Sequence, residues 1–148
     1  MKKLLFTFIL LITSFSVIAC SNDDDDRIIS LKELPAISQA FLEKHFPEQT
    51  VTLAEKDDDG YEVVLNNKFK IDFSLSGDWD DINGYGQAIP KSILELLPTG
   101  IVSHVETNYP SEIFITEINK ETYGFEIELS NKLELKFKSD GTYIGIDK

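Results

Sequence analysis

Few side chains in this sequence could carry acid–base, nucleophilic or transition-metal chemistry. There is one cysteine, Cys20, and there are two histidines, His45 and His104. The histidines fall on separate predicted helices at non-equivalent positions, so they present neither a zinc spacing nor a base beside a nucleophile. Carboxylates are plentiful. Asp23 to Asp26 are consecutive, however, and consecutive side chains diverge, so the run reads as a solvated tether of mutually repelling charges rather than a metal site. The stretch Asp78-Trp79-Asp80-Asp81-Ile82-Asn83-Gly84 has the outline of a calcium loop, but its glycine comes one position late and no bidentate glutamate closes it. The chain therefore predicts no catalytic residue, no cofactor and no metal, and an enzyme is the least favoured class.

Cys20 has a different chemistry available. Met1-Lys2-Lys3 is a basic start, and Leu4 to Val17 is a mostly apolar run too short to span a bilayer comfortably. The ending Val17-Ile18-Ala19-Cys20 resembles the lipobox of bacterial lipoproteins. That resemblance implies that residues 1–19 are removed and that Cys20 is acylated, so that several acyl chains hold the protein to a membrane. An ordinary secretory signal with an incidental cysteine is the alternative. Residues 20–27 then form the lipidated start and acidic tether. The aspartate run also resembles the export signal of surface lipoproteins in the Bacteroidetes, which implies the outer membrane, facing the medium; without that signal the protein faces the periplasm.

Formal charge narrows the partners. The 148 residues carry −12, with 14 Lys and Arg against 26 Asp and Glu. Loss of Lys2 and Lys3 with the leader leaves 12 basic residues against 26 acids, or −14. Phosphate backbones repel such a chain, and no basic stripe with interleaved aromatics occurs, so nucleic acid is excluded as a partner. A lone cysteine cannot form an intramolecular disulfide, so the fold must stand on packing. A monomer is expected.

The elements come in two sets. Gly60 to Trp79 lies on Gly124 to Tyr143 at a shift of 64, with seven identities: Gly60, Glu62, Leu65, Asn67, Lys68, Phe73 and Gly77. This reads as an internal duplication, with 28–84 and 85–148 as the two units. Each begins with a helix set off by prolines, from Pro35 to about Phe46 and from Pro98 to about Tyr109, the second preceded by a short helix from Ile89-Pro90. Leu34, Ser38, Leu42 and Phe46 keep a spacing of four, as do Leu97, Ile101, Val105 and Tyr109. His104 then matches Phe41 and reads as a packing residue. Strands of period two follow, with Val63, Leu65, Phe69, Ile71 and Phe73 on one side and Glu62, Lys70 and Asp72 on the other. Leu65 and Phe69 must share the apolar side, which demands a three-residue loop between them. The predicted class is α+β, each unit a helical segment on its own four-stranded antiparallel sheet, with one residue inserted in the first strand of the second unit or its turn.

The motifs Leu34-Pro35, His45-Phe46-Pro47, Asn67-Lys68 and Gly77-Asp78-Trp79, with their second copies, resemble the PepSY-like, β-lactamase-inhibitor-like lipoproteins of Bacteroides and relatives. The resemblance covers Ile28 to Lys148 and implies a secreted binding or inhibitory module. Lys68 and Lys132 stand where that family often has glycine. From the residues themselves, the broadest surface for a protein partner is the polar sheet side, with Glu62, Lys70, Asp72, Glu126, Glu128 and Lys136. Trp79 and Tyr143 occupy equivalent positions, which favours packing, with an exposed binding aromatic as the alternative. Two functions compete: a lipid-anchored, non-catalytic module that binds and could inhibit an enzyme, and an accessory lipoprotein taking a glycan or peptide nutrient in a cleft near Trp79 and Tyr85.

Overall fold

The computed structural model describes residues 27–147. The leader, Cys20 and the aspartate tether lie outside the described residues. Strand β1 (Arg27–Ile28) leads into a 3-10 turn (Leu31–Glu33), where the Glu33 carboxylate accepts from the Ser30 backbone N–H at 2.8 Å. Helix α1 (Ala36–His45) starts just after Pro35, which supplies a fixed φ and has no N–H to waste, and it stops before Pro47. Strands β2 (Val51–Lys56), β3 (Gly60–Leu65), β4 (Lys70–Ser74) and β5 (Trp79–Asn83) complete the first half. Helices α2 (Lys91–Leu94) and α3 (Thr99–Asn108) and strands β6 (Ile115–Glu121), β7 (Gly124–Leu129), β8 (Glu134–Lys138) and β9 (Tyr143–Ile146) form the second.

The strands do not divide into two sheets. They form a single antiparallel sheet of nine strands in sequence order, because β5 pairs with β6 through Asp81–Asn119, Ile82–Ile118 and Asn83–Glu117. This corrects the expectation of a separate four-stranded sheet in each half. Two such sheets would each expose an unpaired edge, and joining them satisfies both rows of backbone groups. The short β1 is an added strand on β2.

The helices cover one side only. Phe41 of α1 meets Phe73 edge-on at 5.8 Å, and His104 of α3 meets Phe137 likewise at 5.4 Å. Val63, Ile71, Ile82, Ile118, Ile127 and Leu135 are fully buried beneath them, in one core that runs through both halves. The hairpin loops are alike. Leu65 N–H donates to Phe69 O and Leu129 N–H to Leu133 O, each across three residues. Lys68 and Lys132 take φ of 72° and 68°, the left-handed position that a three-residue hairpin loop needs, where glycine is the easier choice. Asn67 and Asn131 side chains accept from the N–H two residues on, which braces the turn. The inserted residue sits earlier than expected. The pairs Val51–Leu65 and Ile115–Leu129 are already 64 apart, so it falls in the loop after Pro110, before β6.

Candidate functional site

With the helices on one side, the other side of the sheet is an uncovered polar grid. Strand alternation places Glu55, Glu62, Asp72, Asp81, Asn119, Glu126 and Lys136 in one registered row across seven strands. A second row holds Lys70, Asn83, Glu117, Glu128 and Glu134. Acids outnumber bases in both.

Each half centres its charges on one lysine. Lys70 Nζ lies 2.8 Å from Glu62 and 3.4 Å from Asp72. Burial alone would lower Lys70, but those two carboxylates hold its ammonium above the ordinary value. Asp72 is nevertheless pushed up, first by burial, because Lys70 sits closer to Glu62 and only partly offsets it. Lys136 Nζ lies 2.9 Å from Asp147 and 3.7 Å from Glu126, and its hydrogen bond to Asp147 leads in raising it. Glu128 accepts from Lys132 at 2.9 Å and from the buried Thr116 hydroxyl at 3.0 Å. The Tyr123 hydroxyl donates to Glu126 at 2.9 Å; burial, then that bond, pushes the phenol up to about 12.

The structure thus brings Glu62, Lys70 and Asp72 together in one cluster and Glu126 and Lys136 in another, with Glu128 in the neighbouring row, bound to Lys132 and Thr116. Trp79 and Tyr143 do not join them. Trp79 lies on the helix side, 6.3 Å from Phe41, with Lys120 Nζ 3.7 Å over its ring. Tyr143 stacks on His104 at 4.1 Å. Both are packed against the helix of their own half.

Two features escape the sequence. Asp81 and Glu117 lie diagonally across the join between the halves, with Asp81 opposite Asn119 and Glu117 opposite Asn83. Burial, then the Glu117 and Asp72 charges, pushes Asp81 up to about 7, and burial also raises Glu117. His45 Nδ1 lies 2.9 Å from Ser92 Oγ, a contact 47 residues apart in sequence that ties α1 to α2. It is a base beside a hydroxyl, but the ring is buried, tilted against Phe41 at 4.5 Å, and no carboxylate among the described residues orients its other nitrogen. It does the work of a packing contact. Oxygens of Glu126, Glu134 and Asp147 lie within 4.8 Å of one another, a spacing a cation could bridge, but the Lys136 ammonium already serves two of them.

The family described as "Putative beta-lactamase-inhibitor-like, PepSY-like" matches residues 24–78 and 59–145. The chain belongs to the PepSY-like family. Among solved structures, a "putative periplasmic protein" from Bacteroides vulgatus is similar at 32% identity and TM-score 0.76, over 84% of this chain and 98% of that one. A "putative calcium-regulated periplasmic protein" from Bacteroides thetaiotaomicron is similar at 32% identity and TM-score 0.77, with the same coverage. A further Bacteroides vulgatus protein shares the fold at 22% identity, with TM-score 0.77 over 83% of this chain and 99% of that one. No curated protein matches the chain. Among the described residues, no helix of this PepSY-like chain is long and apolar enough to cross a membrane.

Proposed function

We propose that this PepSY-like protein is a non-catalytic binding module of the cell envelope, lipid-anchored through Cys20, whose polar sheet side docks a protein partner. The observation that carries this reading is the uncovered grid: among the described residues the helices lie on one side, and charged groups stand in registered rows on the other. Side chains on a sheet are held by their strands, so such a surface loses little entropy on docking. The two Bacteroides relatives described as periplasmic support an extracytoplasmic place, the lipobox supports a lipid anchor, and the aspartate run after Cys20 supports the outer membrane.

The halves derive from a duplication on this reading, yet their polar sides differ in sign at matching positions. That favours one asymmetric docking surface over two equal ones, and an inhibitor of an envelope enzyme is a partner relation it suits. Against the nutrient-binding alternative, Lys120 lies over the Trp79 ring and Phe41 packs beside it, so the indole is already engaged. One relative is described as calcium-regulated. Here the closest carboxylate group is centred on Lys136, and we read it as an ion-pair cluster.

Affinity capture from envelope extract tests the reading. Lys70→Glu with Lys136→Glu should cut recovery of the partner at least tenfold, while Glu43→Lys with Glu106→Lys on the helix side leaves it unchanged. Equal recovery from both variants would retire the sheet side. Cys20→Ser should move the protein from the membrane to the soluble fraction.

A further inference from the structure

The join between the halves is short, with as few registered pairs as the β8–β9 edge. Three registered pairs link β5 to β6, against five linking β3 to β4 and six linking β6 to β7. At that join the polar row places Asp72 beside Asp81, and Glu117 of β6 lies within hydrogen-bonding reach of Asp81. The Asn83 side-chain amide crosses the join to donate to the Glu117 carboxylate. Lys70 is the cation that acts on Asp81 from β4, and it is committed to Glu62 and Asp72. Asp72 Oδ1 is shut off from solvent with no donor. Three carboxyl groups therefore crowd a three-pair join with one shared lysine at its side. Such a row is at ease only if a proton resides in it.

We propose that Asp81 and Glu117 form a proton-dependent clasp across the join, closing β5 on β6 when they share a proton and loosening it when both are ionised. The proposal goes beyond the binding reading and does not depend on it. Its consequence for the sheet is direct, since the join lies at the middle of the polar rows. Opening it divides the surface between the halves.

Asp81 is held at about 7, above its ordinary 3.8. Its favourable contribution is full below 3.8 and is lost as pH rises through about 7, because the opened form releases the proton first. Other charged groups meet the same boundary. Lys120 of β6 reaches across to Trp79 but feels Asp80 and Asp78, not Asp81. Glu117 also feels Glu128, Glu134 and Glu126, opposed by Lys132. His45, bridging to Ser92, is lowered by burial and then by Lys44. Its contribution is therefore present above its ordinary 6.5 and is lost as pH falls, the opposite sense to Asp81. The two trends oppose each other in weakly acidic solution, so Asp81 must be isolated by a variant.

Hydrogen–deuterium exchange of the full chain supplies the test, with amides of Asp81 to Asn83 and Ile118 to Asn119 referred to Val63 and Ile127 after correction for intrinsic rates. Between pH 4.5 and 7.5, protection at the join should fall at least tenfold further in the unmodified chain than in Asp81→Asn. An identical pH trend in the two chains would overturn the clasp. Should Asp81→Asn fail to fold, Glu117→Gln serves in its place, with the same reduced pH trend expected. Carbon NMR of the unmodified chain gives an independent reading. An Asp81 carboxyl that titrates near 7 supports the clasp, and one that titrates in the ordinary aspartate range overturns it whatever the variants do.

Discussion

At a shift of 64 residues, Val63, Leu65, Ile71 and Phe73 stand opposite Ile127, Leu129, Leu135 and Phe137, and all eight are at most 2% exposed. Over the same strands Glu62, Val64, Lys70, Asp72 and Ser74 stand opposite Glu126, Glu128, Glu134, Lys136 and Lys138. The helix side repeats in size and polarity, and the open side keeps one glutamate and changes sign at two positions out of five. Interior packing explains the first, since a core at solid density tolerates little change in volume. Nothing in the packing demands the second. The open side is where the two halves differ, as the proposed docking surface would require.

The deepest positions should break the comparison most clearly if it is wrong. Phe73→Ala and Phe137→Ala should each cost about 3–5 kcal/mol in urea unfolding, because both rings are almost wholly buried. A cost below ~1 kcal/mol at either position would mean that the halves do not share one kind of core. Next come the glycines that let a hairpin press against a helix start. Gly77 has φ of 93°, and an added Cβ would lie 2.6 Å from Pro35 Cβ; Gly141 has φ of 85° and would meet Pro98 Cβ at 2.8 Å. Alanine at either should cost about 1–3 kcal/mol, read from the same titrations.

A smaller effect should separate the halves. The Ser38 hydroxyl, buried on α1, donates to Gly77 O at 2.9 Å. At the matching point of the second half stands buried Ile101, with neighbouring Gly100 closing on Gly141 instead. Ser38→Ala should cost about 1–2 kcal/mol by leaving that carbonyl without its donor. An unchanged unfolding midpoint would show that the first half closes by contact alone, as the second does. Smallest of all, Lys70→Ala should change stability by less than about 1 kcal/mol, since its ion pair is only half-buried, and Lys136→Ala should leave the unfolding midpoint unchanged. A larger loss would make these lysines structural rather than part of a free surface.

Much of this frame is legible in the residues. Period two in Tyr61 to Phe73, prolines at the helix limits and the odd loop between Leu65 and Phe69 each have a local cause that tertiary contacts do not override; at Leu75 the alternation ends in an exposed turn. The joining of the halves is not legible, because the Asp81–Asn119 and Ile82–Ile118 pairs depend on a long-range choice that strand patterning leaves open. The same holds for the candidate surface. Alternation assigns Glu62, Lys70, Asp72, Glu126, Glu128 and Lys136 to the polar side, but their grouping around two lysines follows from cross-strand register. Asp81 and Glu117 read as an ordinary turn and strand until β5 and β6 are placed side by side. Trp79 and Tyr143 show the opposite limit: equivalence in sequence points to packing, and only coordinates show Lys120 lying over the indole.

The central claim is that the open side of a single sheet meets the partner. Photo-crosslinking residues placed singly at Asp72, Asn119 and Lys136 on the sheet, and at Glu43 and Glu106 on the helices, would test it in intact envelopes. Adducts of one common mass from the three sheet positions, with none from the helix positions, are the predicted result. Adducts from the helix positions alone would contradict it.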